Sequence, residues 1–237
     1  MEWRDEAIIL AARRLGEAGM VASVLTREHG RYCAMVPGGA AKANRAIMQV
    51  GNLVQATWKA RLIEQLGTYR LELLQAHAAR AMEHSDPLLA LSAACALCEL
   101  VLPERQPHAP VFAALNALLT ALPSQAWPSV YVHWELALLR DLGFGLDLGS
   151  CAVTGATEDL IYVSPKSARA VSAEAGAPYR HKLLALPQFL RHNREGEGAE
   201  IAAGLALTGY FLERHVLHHR HSPMPSARVR LVDRFRS

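Results

Sequence analysis

Along the first 75 residues, apolar and polar positions alternate in short runs broken by glycine. Residues 6–14 (EAIILAARR) begin apolar and turn basic at Arg13 and Arg14. Gly16 and Gly19 bracket a turn, because glycine reaches positive φ without steric cost. Residues 20–26 read as a second strand, Arg27 to Gly30 as a second turn, and residues 31–36 as a third strand stopped by Pro37, Gly38 and Gly39. Residues 40–48 form a polar loop or short helix carrying Lys42 and Arg45. Alternation resumes in residues 49–63, with Lys59 and Arg61 between apolar positions, and again in residues 67–74. Five short antiparallel strands predict a small closed barrel of the OB type; an SH3-like barrel is the alternative that strand count leaves open.

From about residue 76 the period changes to that of helices. Residues 84–102 repeat Leu88, Leu91, Ala94, Cys95, Cys98 and Leu102 behind Asp86 and Pro87, and Pro103 ends the run. Residues 110–122 form the next helix, stopped by Pro123. Residues 126–142 place Trp127, Tyr131, Trp134, Leu138 and Leu142 along one face, with Gly143 as C-cap. That aromatic stripe fits a core better than a base-stacking platform, and the short connections favour antiparallel packing. Residues 143–176 interrupt the helices with a loop (151–155) and a β-hairpin, residues 159–164 and 168–172. Helical segments at 187–192, 197–217 (running on to His221) and 226–235 finish the chain. The pattern predicts an α+β protein: a five-stranded barrel over residues 1–78, then a helical domain over 79–237 with a hairpin insert at about 148–178.

Composition narrows the class. The 237 residues are 51% hydrophobic and 20% charged, which suits one large or two small packed domains. No apolar run approaches the ~18 residues of a membrane span. Glu2 and Asp5 beside the start, without a small-residue cleavage site, argue against a signal peptide. Cys95 and Cys98 sit in an apolar helix and read as buried thiols of a cytoplasmic protein. The net charge of +3 is uneven: 11 Lys and Arg against 7 Asp and Glu in residues 1–80, 5 against 10 in 81–180, and 9 against 5 in 181–237. Two basic ends around an acidic middle suit an anionic partner, and uneven surface solvation explains them as well.

Catalytic motifs are missing: there is no G-x-S-x-G, H-E-x-x-H or phosphate-binding G-x4-G-K-[ST]. His215, His218 and His219 share a helix face, but no carboxylate pair or cysteine nearby completes a metal shell. The positive signal is the basic set Arg13, Arg14, Arg27, Arg31, Lys42, Arg45, Lys59, Arg61 and Arg70 within the barrel. The barrel offers few aromatics (Trp3, Tyr32, Trp58, Tyr69), so phosphate contacts should outweigh base stacking. A protein-only adaptor docking through the barrel is the rival reading, and a DNA-processing enzyme a second.

The run DEAIILAARRLGEAGMVASVLTREHGRYCAMVPGGA, then LVQATWKARLIEQLGTYRLEL, YVHWELALLRDLGFGLDLGSCAVTG and YVSPKSARAVSAEAG, resembles the RecO family of DNA repair proteins from about Trp3 to Phe235. Residues 142–155 carry its most specific part. The resemblance implies an OB domain, a helical domain with a zinc-finger-like insert, and no enzymatic activity. It also implies binding of single- and double-stranded DNA, annealing of complementary strands, and loading of RecA onto strands coated by single-stranded DNA-binding protein (SSB), with RecR and the SSB C-terminal tail as partners. The expected location is cytoplasmic, at the nucleoid.

Two departures matter. Of the two Cys-x2-Cys pairs that hold the family's zinc, Cys151 remains; Thr154, Ser172 and Ala175 occupy the other positions. The insert is therefore expected to hold no metal and to rest on Ile161, Val163 and Val171; no cofactor is expected. The loop after strand three is also less basic than the family's, with only Lys42 and Arg45. That shifts weight to Arg13, Arg14, Arg27 and Arg31. The acidic tail implies an apolar pocket with basic residues in the helical domain; Arg214, Arg220, Arg228 and Arg230 are its candidates.

Overall fold

A computed structural model describes residues 1–17, 19–192 and 194–236, residue 43 by its main chain alone. Five strands close into a barrel in the order β1-β2-β3-β5-β4. They are β1 (Glu2–Leu15), β2 (Gly19–Thr26), β3 (Arg31–Val36), β4 (Leu53–Lys59) and β5 (Thr68–Gln75). All neighbours are antiparallel except β3 and β5, which run parallel and pair only at Met35 and Thr68. The α+β architecture and the closed five-stranded sheet are as the pattern predicts.

Alternation decides which side chains fill the barrel. Ala7, Ile9, Ala22, Val24, Ala34, Val54, Ala56 and Trp58 point inward. Ile8, Leu10 and Leu25 on the opposite face are also buried, because helices cover that side of β1 and β2. β1 starts four residues earlier than its apolar run, since Glu2–Asp5 pair with Lys59–Ala56 across the sheet. β4 is shorter than residues 49–63. Gly51 takes φ +88, and the Asn52 side chain is spent on holding the turn: its amide donates to the Ala46 carbonyl at 2.7 Å and its oxygen accepts from the Ala78 N–H at 3.1 Å.

Seven α-helices follow among the described residues: α1 (His77–Ala81), α2 (Ser85–Val101), α3 (Ala109–Ala121), α4 (Trp127–Asp141), α5 (Ala173–Gly176), α6 (Gly198–Phe211) and α7 (Ser226–Phe235). The one-turn α1 lies outside the periodic pattern. Prolines open α3 and α4, and Glu197 and Glu200 form a capping box on α6. By contacts the chain divides into two compact units, residues 1–124 with 225–228, and residues 125–224 with 229–237. In the second, Tyr131, Trp134 and Leu138 are buried, as their stripe predicts, and α6 packs against α4. The predicted hairpin is present, and a third strand extends it into a small sheet. β8 (Leu184–Ala185) joins β6 (Leu160–Val163) and β7 (Ala170–Ser172) because Tyr162 and Val163 have a free edge to offer. Leu160, Val163, Ala170 and Val171 are buried there, and Ile161 is partly so.

His77 begins α1 fully buried, and neither ring nitrogen has a hydrogen-bond partner among the described residues. Burial lowers its pKa, Arg80 adding to that and Asn116 opposing it. The unfolded chain, with an ordinary histidine near 6.5, therefore takes up a proton at a pH where the folded protein does not. The contribution of His77 to stability is full above pH ~6.5 and falls as pH drops through that value. We expect melting temperatures measured between pH 7.5 and 5.5 to fall less steeply in His77→Leu; an unchanged slope would remove His77 as the cause.

Candidate nucleic-acid interface

The proposed cations fall into two groups once the strands are paired. Arg13 and Arg14 stand at the end of β1, opposite Val21 and Met20, exposed and without an ion pair among the described residues. Lys42 and Arg45 are exposed in the segment between β3 and β4. That segment is fixed rather than slack: the Asn44 amide donates to the Gly38 carbonyl at 3.0 Å, and the Met48 N–H to the Asn44 carbonyl at 3.0 Å. Arg14 and Arg45 meet at one crevice of about 390 Å³, with Met20, Met48, Met82 and Leu91 among its walls and no carboxylate in its lining. Arg61, on the β4–β5 loop, is also exposed and unpaired among the described residues.

The others are engaged within the fold. Arg27 forms an ion pair with Glu6 and lies 5.5 Å over the Phe112 ring. Arg31 is mostly buried. Its Nε donates to the Leu102 carbonyl at 2.8 Å, and its guanidinium approaches Glu104 and Glu99 at 3.3 and 3.6 Å. Lys59 pairs with Glu2 at 3.3 Å, and Arg70 with Glu72 at 3.4 Å.

Arg105 carries no local sequence signal, yet it organises the β4–β5 loop. At φ +61 it donates to the carbonyls of Ile63 (2.6 Å) and Gln65 (3.2 Å), and it stacks on the Tyr32 ring at 4.8 Å. The barrel aromatics form one cluster: Trp3 lies 5.8 Å from Trp58 and 5.3 Å from Tyr32, and Trp58, Tyr69 and Tyr32 are buried. None of those three is placed to stack on a base.

In the second unit, Arg214, Arg220 and Arg230 are exposed. Arg228, expected on the same surface, is buried and groups with the first unit. A different feature stands out: a pocket of about 570 Å³ whose walls include Leu136, Leu146, Leu148 and Leu190, with Arg140, Arg191 and His133 among its polar groups. Burial lowers the pKa of His133. His215 packs between Phe211 (5.7 Å) and Phe144 (5.5 Å), and burial together with Arg214 keeps its pKa low. Among the described residues no three His, Cys, Asp or Glu side chains gather as a metal site.

The insert does not suit zinc. Cys151 is buried, with the Ser172 N–H donating to its sulfur at 3.4 Å and the Ser172 hydroxyl 3.6 Å away. One thiolate among hydroxyls falls short of a four-ligand set. Burial alone would raise the Cys151 pKa, but the Thr154 hydroxyl and the main-chain N–H groups of Ser172, Thr154 and Val153 outweigh it and hold the pKa at about 6. Cys95, with burial unopposed, is pushed up to about 12. We expect thiolate absorbance to titrate near pH 6 in the wild type and not in Cys151→Ser; a first midpoint near 9 would remove the thiolate assignment.

A closed five-stranded barrel with a carboxylate-free cationic crevice has the build of an OB-type domain suited to a polyanion. The comparisons make this specific. Residues 1–77 match the family model described as Recombination protein O N terminal, and residues 83–224 match Recombination protein O C terminal. The chain is 52% identical to the DNA repair protein RecO of Rhodospirillum centenum, over 100% of this chain and 95% of that protein. It is 50% identical to RecO of Rhodospirillum rubrum (100% and 97%) and 47% identical to RecO of Phenylobacterium zucineum (99% and 97%). The chain belongs to the RecO family of DNA repair proteins. No helix among the described residues is long and apolar enough to cross a membrane.

Proposed function

We propose that this protein is a non-catalytic recombination mediator of the cytoplasm, acting at the nucleoid. It binds single- and double-stranded DNA, anneals complementary strands and helps load RecA onto SSB-coated single strands, with RecR as partner. Residues 1–78 serve DNA, and residues 79–237 serve partners. The observation that carries the reading is the cationic end of the barrel, where Arg14 and Arg45, without ion pairs among the described residues, share a crevice with no carboxylate in its lining, beside Arg13 and Lys42. Two strands laid on such a surface repel each other less, which lowers the barrier to annealing. The leucine-walled pocket with Arg140 and Arg191 supports capture of the acidic SSB tail, with Arg214, Arg220 and Arg230 as further cations.

The test is fluorescence anisotropy of a labelled single strand across a salt series, with and without an SSB-tail peptide. Five unpaired cations (Arg13, Arg14, Lys42, Arg45, Arg61) give an expected log–log slope of about −3.5. The peptide should bind without displacing the strand. Peptide binding without DNA binding would leave an adaptor instead.

A further inference from the structure

The barrel has a seam that its own strands do not fill. β3 ends at Val36 just after it meets β5 at Thr68, so β5 runs on past it. From Arg70 to Gln75, β5 pairs with β4 on one side and with no other strand among the described residues. An antiparallel strand spends only half of its N–H and C=O groups on one neighbour, so the outer half faces an open groove. A groove of about 840 Å³ is lined by β5 from Thr68 to Glu72, by the segment after β3, and by Glu2, Arg4, Thr57 and Lys59 of β1 and β4. Its apolar side chains are Val36, Pro37, Ile47, Met48, Tyr69 and Leu71.

Charge says what belongs there. Every charged residue of the lining is paired within the lining: Lys59 with Glu2 at 3.3 Å, and Glu72 with both Arg70 (3.4 Å) and Arg4 (3.8 Å). Phosphates would have to break these pairs and lie beside two carboxylates, whereas the Arg14–Arg45 crevice presents cations with no pair to break among the described residues. A polyanion is directed to the crevice and away from the seam.

We propose that the β5 seam is a peptide-binding groove that captures an extended, weakly charged segment of a partner protein as an added strand. Six residues of free edge span roughly 20 Å, enough for about three strand hydrogen bonds. Every second side chain of the captured segment drops onto Ile47, Met48 and Leu71, so the segment is apolar at alternate positions. This goes beyond the DNA-binding reading and does not depend on it.

The experiment pans a phage-displayed library of random nine-residue peptides against the full chain and resynthesises the enriched sequences. Enriched peptides should carry apolar residues two apart. N-methylating one set of alternate amides should weaken binding by about tenfold or more, since each blocked strand bond is worth about a factor of ten at most. Ile47→Asp should weaken the peptides similarly and leave the DNA salt slope unchanged, which separates this proposal from the previous one. No enrichment, helical i, i+4 spacing, indifference to N-methylation, or displacement of the peptides by a single strand would each overturn it. The N-methyl comparison uses the wild-type chain, so it stands even where Ile47→Asp folds poorly.

Discussion

Charge reversal of both Arg14 and Arg45 to glutamate is expected to reduce single-strand affinity by about a hundredfold at low salt, roughly tenfold for each side chain, and to flatten the salt slope from about −3.5 to about −2. Both side chains are exposed, neither has an ion pair among the described residues, and both border one crevice. Their replacement should therefore leave the fold intact, which a thermal melt would verify. Arg31→Ala provides the contrast. Its guanidinium holds the Leu102 carbonyl and approaches Glu99 and Glu104, so its loss should lower the melting temperature while the salt slope stays where it was. Should Arg31→Ala flatten the slope and the double reversal leave it unchanged, the DNA surface lies elsewhere on the barrel.

Gly30→Ala is expected to be the most destabilising small substitution in the barrel. Gly30 takes φ +74, and an added Cβ would sit 1.8 Å from the Gln106 carbonyl oxygen and 2.4 Å from its carbon. Those atoms are main chain and have no rotamer to retreat into. The clash also falls on the stretch that includes Arg105, whose N–H donates to the Arg31 carbonyl at 2.7 Å and whose side chain holds the β4–β5 loop. We expect a loss on the order of 4 kcal/mol or more, equivalent to roughly 10 °C in melting temperature. Gly16→Ala isolates the backbone component: φ is +66, but nothing lies within 4 Å of its added Cβ. That change should cost only about 1 kcal/mol. Equal effects at the two glycines would mean that the Gln106 contact is not what fixes Gly30.

Several parts of the fold were legible in the local pattern because they obey a local rule. β3 runs from Arg31 to Val36 as its alternation and its Pro-Gly-Gly stop predict, and α2, α3 and α4 match their periodic runs to within a residue. α7 starts at Ser226 behind Pro225 and ends at Phe235, as expected. Burial of Cys95, Cys98, Tyr131 and Trp134 followed from helix periodicity. Membership of the family rested on the order of short motifs, above all residues 142–155, which no single element's pattern would have supplied.

What escaped the local reading depends on partners distant in the chain. The first residues of β1 are polar and become strand because β4 lies beside them. β8 is two residues long and exists because β6 has an edge to pair. The arginines make the same point about function. Arg13 and Arg27 look alike along the chain, each basic and each at a strand end. The β1–β2 register places Ala7 opposite Thr26, which brings Glu6 to Arg27 and neutralises it, whereas Arg13 faces Val21 and has no ion pair among the described residues. Residue type and hydrophobic period thus determined the elements, the core and a surplus of positive charge. Strand register and packing alone decided which charges are neutralised, which meet at a crevice, and which edge is left open. Ion pairing and hydrogen bonding depend on distances of a few ångströms between residues far apart in sequence, and those distances exist only once the barrel has closed.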